Sequence, residues 1–205
     1  HQPMQSANER YVITYNGEVY NYPELRRDLE AEGAAFRGHS DTEVFLEGFA
    51  RWGVRATLAR MVGMFAIALW DRQEKQLTLI RDRLGIKPLY YGHTSGLFLW
   101  GSELKVLRAH SGWQPKMDQD ALASYLRFNY VPAPQTIYRD IRKLEPGCLL
   151  TLRPGQAPKV ERYWSLDEVA AQPQEQLSDD QAITATEEIL KEAVGCRMVA
   201  DVPLG

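Results

Sequence analysis

The seven residues Met64 to Trp70 (M-F-A-I-A-L-W) constrain this chain more than any other stretch. The run is too short for a core helix and too uniformly apolar for a strand with one wet face. It predicts a strand covered on both sides, and therefore a fold of stacked layers. Tyr11 to Tyr15, Leu77 to Ile80, Leu97 to Trp100, Cys148 to Leu152 and Val160 to Trp164 read as further strands. They are separated by turn signals such as Asp71-Arg72, Pro146-Gly147 and Pro154-Gly155. Asn16-Gly17, directly after the first of these strands, is the dipeptide of a tight hairpin turn.

Helices fall between the strands. Asn21-Tyr22-Pro23-Glu24 offers a cap, a proline in the first turn and a capping-box-like glutamate, with Gly33 as the stop. Ser40-Asp41-Thr42-Glu43 is a full S-x-x-E capping box, followed by Val44, Phe45, Phe49 and Trp52 on one side and ended by Gly53. Shorter helices are expected over Ser102 to Leu107 and Gln119 to Phe128, and a strong one over Asp179 to Val194, before a strand over Arg197 to Leu204. The division that follows is a mixed domain over 1–165, a linker over 166–178, and a helix–strand pair over 179–205 that cannot cover its own apolar face. At 205 residues the chain suits one domain and part of a second.

A net charge of −3 without like-charge blocks gives no reason to expect nucleic acid or an anionic membrane surface as partner. No apolar run nears the ~20 residues of a membrane span, and there is no secretory signal. Cys148 and Cys196 are isolated and read as small buried hydrophobes. His1, His39, His93 and His110 lack metal-ligand spacing and read as surface histidines, so no metal is expected. A reducing cytoplasm fits this cysteine usage. The chain begins at His1 and stops at Gly205 inside a strand-like stretch, and both ends read as cuts through a longer protein. A sandwich cut in this way is expected to expose a sheet edge and to be sticky.

Four ordered segments carry a resemblance. They are Tyr15-Asn16-Gly17-Glu18-Val19-Tyr20-Asn21; Ser40-Asp41-Thr42-Glu43; Gly63-Met64-Phe65-Ala66 running on to Arg81-Asp82-Arg83-Leu84-Gly85-Ile86-Lys87-Pro88-Leu89-Tyr90-Tyr91; and Ala200-Asp201-Val202-Pro203-Leu204-Gly205. Ser102-Glu103-Leu104-Lys105 and Tyr130-Val131-Pro132-Ala133-Pro134 fit as well. In this order they resemble glutamine-hydrolysing asparagine synthetases, whose first domain is a class II glutamine amidotransferase.

The resemblance implies an α+β fold: a four-layer αββα N-terminal-nucleophile sandwich. After it come the first helix and strand of an α/β ATP-pyrophosphatase-type synthetase domain. It implies glutamine hydrolysis by an N-terminal cysteine, whose own α-amine is the base, with Asn16 and Gly17 as the oxyanion hole. Glu18 and Asp41 would hold the amino-acid end of glutamine, Asp41 by pairing with its ammonium. Ammonia would then pass to an ATP- and Mg-dependent domain and attack a β-aspartyl-AMP. The implied partners are glutamine and the rest of the synthetase domain, and a homodimer is compatible with this. The nucleophilic cysteine and the S-G-G-x-D-S pyrophosphate loop are both missing from the sequence. The chain alone is therefore expected to be inactive and to hold no cofactor.

Blander readings stand beside these. Asp41 sits where a helix dipole favours any carboxylate. Glu18 could be an exposed carboxylate after a turn, and Arg81 and Asp82 a structural buried ion pair. Tyr90 and Tyr91 read as core. Two rival functions are a β-lactam-synthetase-like, ATP-dependent enzyme without glutaminase activity, and a non-catalytic binding module on the same fold.

Overall fold

The computed structural model describes residues 2–94, 96–173 and 176–198. In chain order its elements are β1 (Met4–Gln5), β2 (Tyr11–Val19), α1 (Tyr22–Ala31), α2 (Asp41–Arg51), α3 (Val54–Arg60), β3 (Gly63–Asp71) and β4 (Gln76–Arg81). Then follow β5 (Tyr90–Thr94), β6 (Leu97–Gly101), α4 (Leu104–Arg108), α5 (Gln119–Phe128), β7 (Arg142–Lys143), β8 (Cys148–Leu152), β9 (Lys159–Arg162), α6 (Leu166–Ala170) and α7 (Asp179–Gly195).

The apolar run becomes β3, the third strand of a six-stranded sheet in the order β1-β2-β3-β4-β8-β9. A second, three-stranded sheet has the order β6-β5-β7, and every pairing in both is antiparallel. Alternation along β3 shows why no residue of its middle could be polar. Phe65, Ile67 and Leu69 enter one core with Leu25, Leu29, Phe45, Phe49 and Leu58 of the first three helices. Ala66 and Ala68 enter another with Leu79, Leu89, Leu144 and Leu150. The alanines let the two sheets approach, and each fully buried Phe or Leu contributes ~1.5–3 kcal/mol. The outer side of the second sheet carries a third, smaller core of Leu107, Trp113 and Ile141. The layers run helices, sheet, sheet, helix, so the four-layer α+β architecture is as expected.

Several local expectations are corrected. Asn16-Gly17 is no hairpin turn: it lies inside β2, opposite Ala66 and Phe65 of β3, because β3 continues the ladder to Gly63. Asn21 precedes α1 without capping it. Its side chain instead donates to Arg60 O (2.9 Å) and accepts from Val62 N (2.9 Å), tying the start of α1 to the loop before β3. The capping box of α2 is half formed. Ser40 Oγ accepts from Glu43 N (3.3 Å), but the Glu43 carboxylate turns to the N–H groups of Arg37 and Gly38. Gly53, with φ +84°, ends α2 and at once starts α3, which the sequence reading missed. Strands β1, β5 and β7 were also missed.

Arg81 and Asp82 form no ion pair with each other. Arg81 donates to the carbonyls of Lys87, Gly85 and Leu144, while fully buried Asp82 accepts from the N–H groups of Phe65, Ile86 and Lys87. Burial lowers the Arg81 pKa, against the pull of the Asp82 charge. Both residues fix the loop after β4 through backbone groups. Cys148 is buried between the sheets, and burial raises its thiol pKa; Cys196 is only half-buried, at the end of α7. His39, His93 and His110 are exposed.

Beyond β9 the packing changes. The segment read as a linker contains the short helix α6. Helix α7 starts with a complete capping box between Ser178 and Gln181, yet buries no residue. Cys196 and Arg197 form a turn after α7, and the rest of the strand expected there, 199–204, lies outside the described residues.

Candidate active site

The four predicted residues gather along one edge of β2, the edge away from β3. Strand geometry decides which backbone groups face that way. Phe65, opposite Gly17, spends its N–H on Asp82 Oδ2 (3.2 Å) and its C=O on Asp82 N (2.9 Å), both on the far side of β3. Its partner Gly17 therefore turns its own N–H to the outer edge of β2, as alternate residues Tyr15 and Val19 do. Those two neighbours are engaged. The Gln2 side chain accepts from Tyr15 N (2.6 Å) and donates to Tyr15 O (2.8 Å), acting as one residue of a neighbouring strand. Val19 N donates to Asp41 Oδ2 (3.0 Å). The Gly17 N–H lies between them, facing the open edge.

Glycine is needed at 17 for a separate reason. A Cβ there would stand 2.1 Å from Met64 O and 2.7 Å from Phe65 Cα, so any side chain would push the strands apart. Asn16 and Glu18 alternate to the face that carries Ala66 and Ala68. The Asn16 Nδ2 donates to Ser102 Oγ (3.2 Å), just after β6, and its second N–H has no partner among the described residues. A cavity of about 240 Å³ opens beside it, lined among others by Gln2, Tyr15, Asn16, Trp100 and Ser102. Glu18 is half-buried.

Asp41 is the first residue of α2 and meets β2 from the helix side. Its Oδ2 accepts from the Tyr15 hydroxyl (2.8 Å) as well as from Val19 N, and its Oδ1 from Thr42 N (2.6 Å) and Thr42 Oγ1 (3.1 Å). All these donors are neutral. The carboxylate is thus fixed in orientation and lacks a cationic partner among the described residues. Burial first, and the Asp41 charge second, push the Tyr15 phenol well above its ordinary pKa, so it stays a neutral donor. No group of three or more His, Cys, Asp or Glu among the described residues is placed to hold a metal.

Sequence reasoning missed Gln2, Tyr15 and Ser102 as supports of this edge. Tyr15 and Ser102 both lay in motifs that carry the resemblance. Tyr15 could have been found from strand parity, since it alternates with Ile13 toward the helices and hence toward Asp41. The Gln2 contact had no signal in the sequence.

Residues 1–164 match the family model described as the glutamine amidotransferase domain. A Mycobacterium tuberculosis protein provisionally named asparagine synthetase (glutamine-hydrolyzing) is 38% identical over 214 residues, covering 100% of this chain and 32% of that protein. Asparagine synthetase (glutamine-hydrolyzing) 1 of Bacillus subtilis is 35% identical over 204 residues, covering 100% of this chain and 31% of its own length. The chain thus spans about a third of the length of the curated relatives it matches. Among solved structures, glutamine phosphoribosylpyrophosphate amidotransferase from B. subtilis superposes with a TM-score of 0.56 at 24% identity, over 80% of this chain and 32% of that one. That likeness concerns the fold.

Proposed function

We infer from the match over residues 1–164 that this chain, which belongs to the glutamine amidotransferase domain family, forms most of the glutaminase part of a glutamine-dependent asparagine synthetase. The observation that carries the reading is the open edge of β2. There the Gly17 N–H faces outward between two engaged neighbours, with the Asn16 amide on one side and, on the other, the Asp41 carboxylate, which has no cationic partner among the described residues.

In this reading the edge receives the side-chain amide of glutamine. A thiolate attacks the amide carbon, an S–C bond forms, and the carbonyl π pair moves to oxygen. Asn16 Nδ2–H and Gly17 N–H donate to that oxyanion, the term that usually dominates acyl-transfer catalysis. Collapse of the intermediate expels ammonia, which takes its proton from the base that accepted it from the thiol, and water then cleaves the thioester to glutamate. Asp41 pairs with the substrate ammonium, and Glu18 contacts the same amino-acid end. Cys148 is buried between the sheets and Cys196 lies in the turn after α7, so the reading takes the thiol from an N-terminal cysteine that this sequence does not contain. ATP and Mg, which amidation of aspartate through β-aspartyl-AMP requires, belong in this reading to the synthetase part, and none of the residues described here is assigned to them. The 205 residues alone are expected to release no glutamate.

The test is Asn16→Ala in the full-length protein. Glutaminase turnover should fall about 100-fold, the loss typical of one oxyanion donor, while ammonia-dependent asparagine formation is unchanged. Glutamate release at the wild-type rate would remove Asn16 from the oxyanion hole.

A further inference from the structure

Every contact around Asp41 runs through neutral donors, but one comes from a side chain whose position is set by packing. Tyr15 lies on the helix-facing row of β2. Its ring meets Phe45 edge-on at 4.9 Å, and Phe45 in turn meets Phe49 at 5.7 Å. Phe45 and Phe49 both lie in the core beneath α2, the helix that begins with Asp41. The phenol is therefore held at its ring by the core and reaches the carboxylate with its hydroxyl alone. The other donor to Asp41 Oδ2 is Val19 N, on the same strand four residues on.

We propose that Tyr15 is a positioning residue for the amino-acid clamp: its hydroxyl sets the orientation of the Asp41 carboxylate for a substrate ammonium. The inference rests on the reading of Asp41 given above and adds a residue to it. The chemistry is direct. A carboxylate oxygen has two lone-pair directions in its plane: the Thr42 N–H and hydroxyl share Oδ1, and the Tyr15 hydroxyl and Val19 N–H share Oδ2. With Tyr15 and Val19 both bound to Oδ2, rotation about the bond from Cβ to Cγ breaks two hydrogen bonds at once. The carboxylate is thus oriented before substrate arrives, which lowers the ordering cost of binding. An arginine or lysine here would hold the group equally well but would cancel the charge that an ammonium needs. A neutral phenol orients it and leaves the charge available. Because the clamp grips the end of glutamine that does not react, losing the hydroxyl should weaken binding and leave the chemical step intact.

Four full-length proteins test this: wild type, Tyr15→Phe, Asp41→Asn and the double variant, each assayed for glutamine-dependent and ammonia-dependent asparagine formation. Ammonia-dependent activity reports folding of the whole protein and should be equal in all four. Tyr15→Phe should raise the KM for glutamine about tenfold, the size a hydrogen bond to a charged group commonly commands, with kcat changed less than about twofold. Asp41→Asn should raise it further, and adding Tyr15→Phe to Asp41→Asn should change nothing more, because the hydroxyl then has no charge to orient. A KM within twofold of wild type in Tyr15→Phe, while Asp41→Asn raises it, overturns the proposal and leaves the role of Asp41 standing. Additive effects in the double variant overturn it as well. An unchanged KM in Asp41→Asn overturns both the proposal and the clamp it rests on.

Discussion

The sandwich and helix α7 are both built from apolar residues at regular spacing, yet only one of them hides those residues. Along β3 every residue from Phe65 to Leu69 is buried, shared between two cores. Along α7, Ile183, Leu190 and Val194 remain about 60% exposed. The sandwich is held by contacts far apart in sequence, such as β2 on β3 and β4 on β8. Helix α7 is held by local devices: the Ser178–Gln181 capping box and the Glu187–Lys191 pair one turn apart. The family match ends at residue 164, just after the last strand of the larger sheet. Periodicity alone thus specifies that an element forms. Which surface it covers depends on what else the chain brings to it.

The sharpest way to break this contrast is to truncate one apolar side chain on each side of it. Phe45 is fully buried against Tyr15 and Phe49. Phe45→Ala should cost about 3–5 kcal/mol in urea denaturation, from lost transfer energy and the cavity left behind. Leu190→Ala, of similar chemistry but exposed, should cost less than about 0.5 kcal/mol. Equal losses would mean that α7 is part of the cooperative unit and that the contrast is false.

The same contrast explains what the sequence made legible. The long buried strands β3, β4 and β8 and the helices α2, α5 and α7 carry strong periods and were assigned from residues alone. Strand β5 was missed because Tyr90 and Tyr91 read as generic core, and Gly92-His93-Thr94 carries no strand pattern. Gly92 fits there because the Asp140 carbonyl stands 1.9 Å from where its Cβ would be, a contact no local pattern announces. The local reading of Asn16-Gly17 as a turn fails for a similar reason: the dipeptide favours a hairpin locally, and only pairing with Gly63 to Ala66 keeps it extended. The candidate site was legible as residue types through the resemblance, whereas its supports at Gln2, Tyr15 and Ser102 are products of the fold.

A second, smaller test probes the sandwich through charge. Asp71 ends β3 and accepts a forked contact from Arg10, at 3.0 Å from Nε and 2.6 Å from Nη2, plus the N–H groups of Gln73 and Glu74. Burial works against its ionised form, but the Arg10 guanidinium and the two backbone donors outweigh that and hold its pKa below the ordinary value. A carboxyl depressed in the folded state stabilises it above the unfolded pKa of about 3.9, and the stabilisation is lost as pH falls through the folded value. Asp71→Asn should therefore cost about 1.5–3 kcal/mol at pH 7, as for a hydrogen bond to a charged group, and progressively less at acid pH. Stability curves of variant and wild type should converge toward pH 2. Parallel curves across that range would show that the carboxylate contributes by shape alone.

The smallest effect falls on α7 and sharpens the contrast from the other side. Ser178 Oγ accepts from Gln181 N (3.4 Å) while Gln181 Oε1 accepts from Ser178 N (2.9 Å). With no buried residue to hold it, α7 depends on this box more than a packed helix would. Ser178→Ala should cost about 1 kcal/mol, the usual value of a cap, and that loss should be local. Hydrogen exchange should show faster exchange of amides in the first turns of α7, with exchange in β3 and β4 and the urea midpoint of the sandwich unchanged. A shift of the sandwich midpoint by the same amount would place α7 and the sheets in one folding unit, and its exposed leucine and isoleucine would then need another explanation than a missing partner surface.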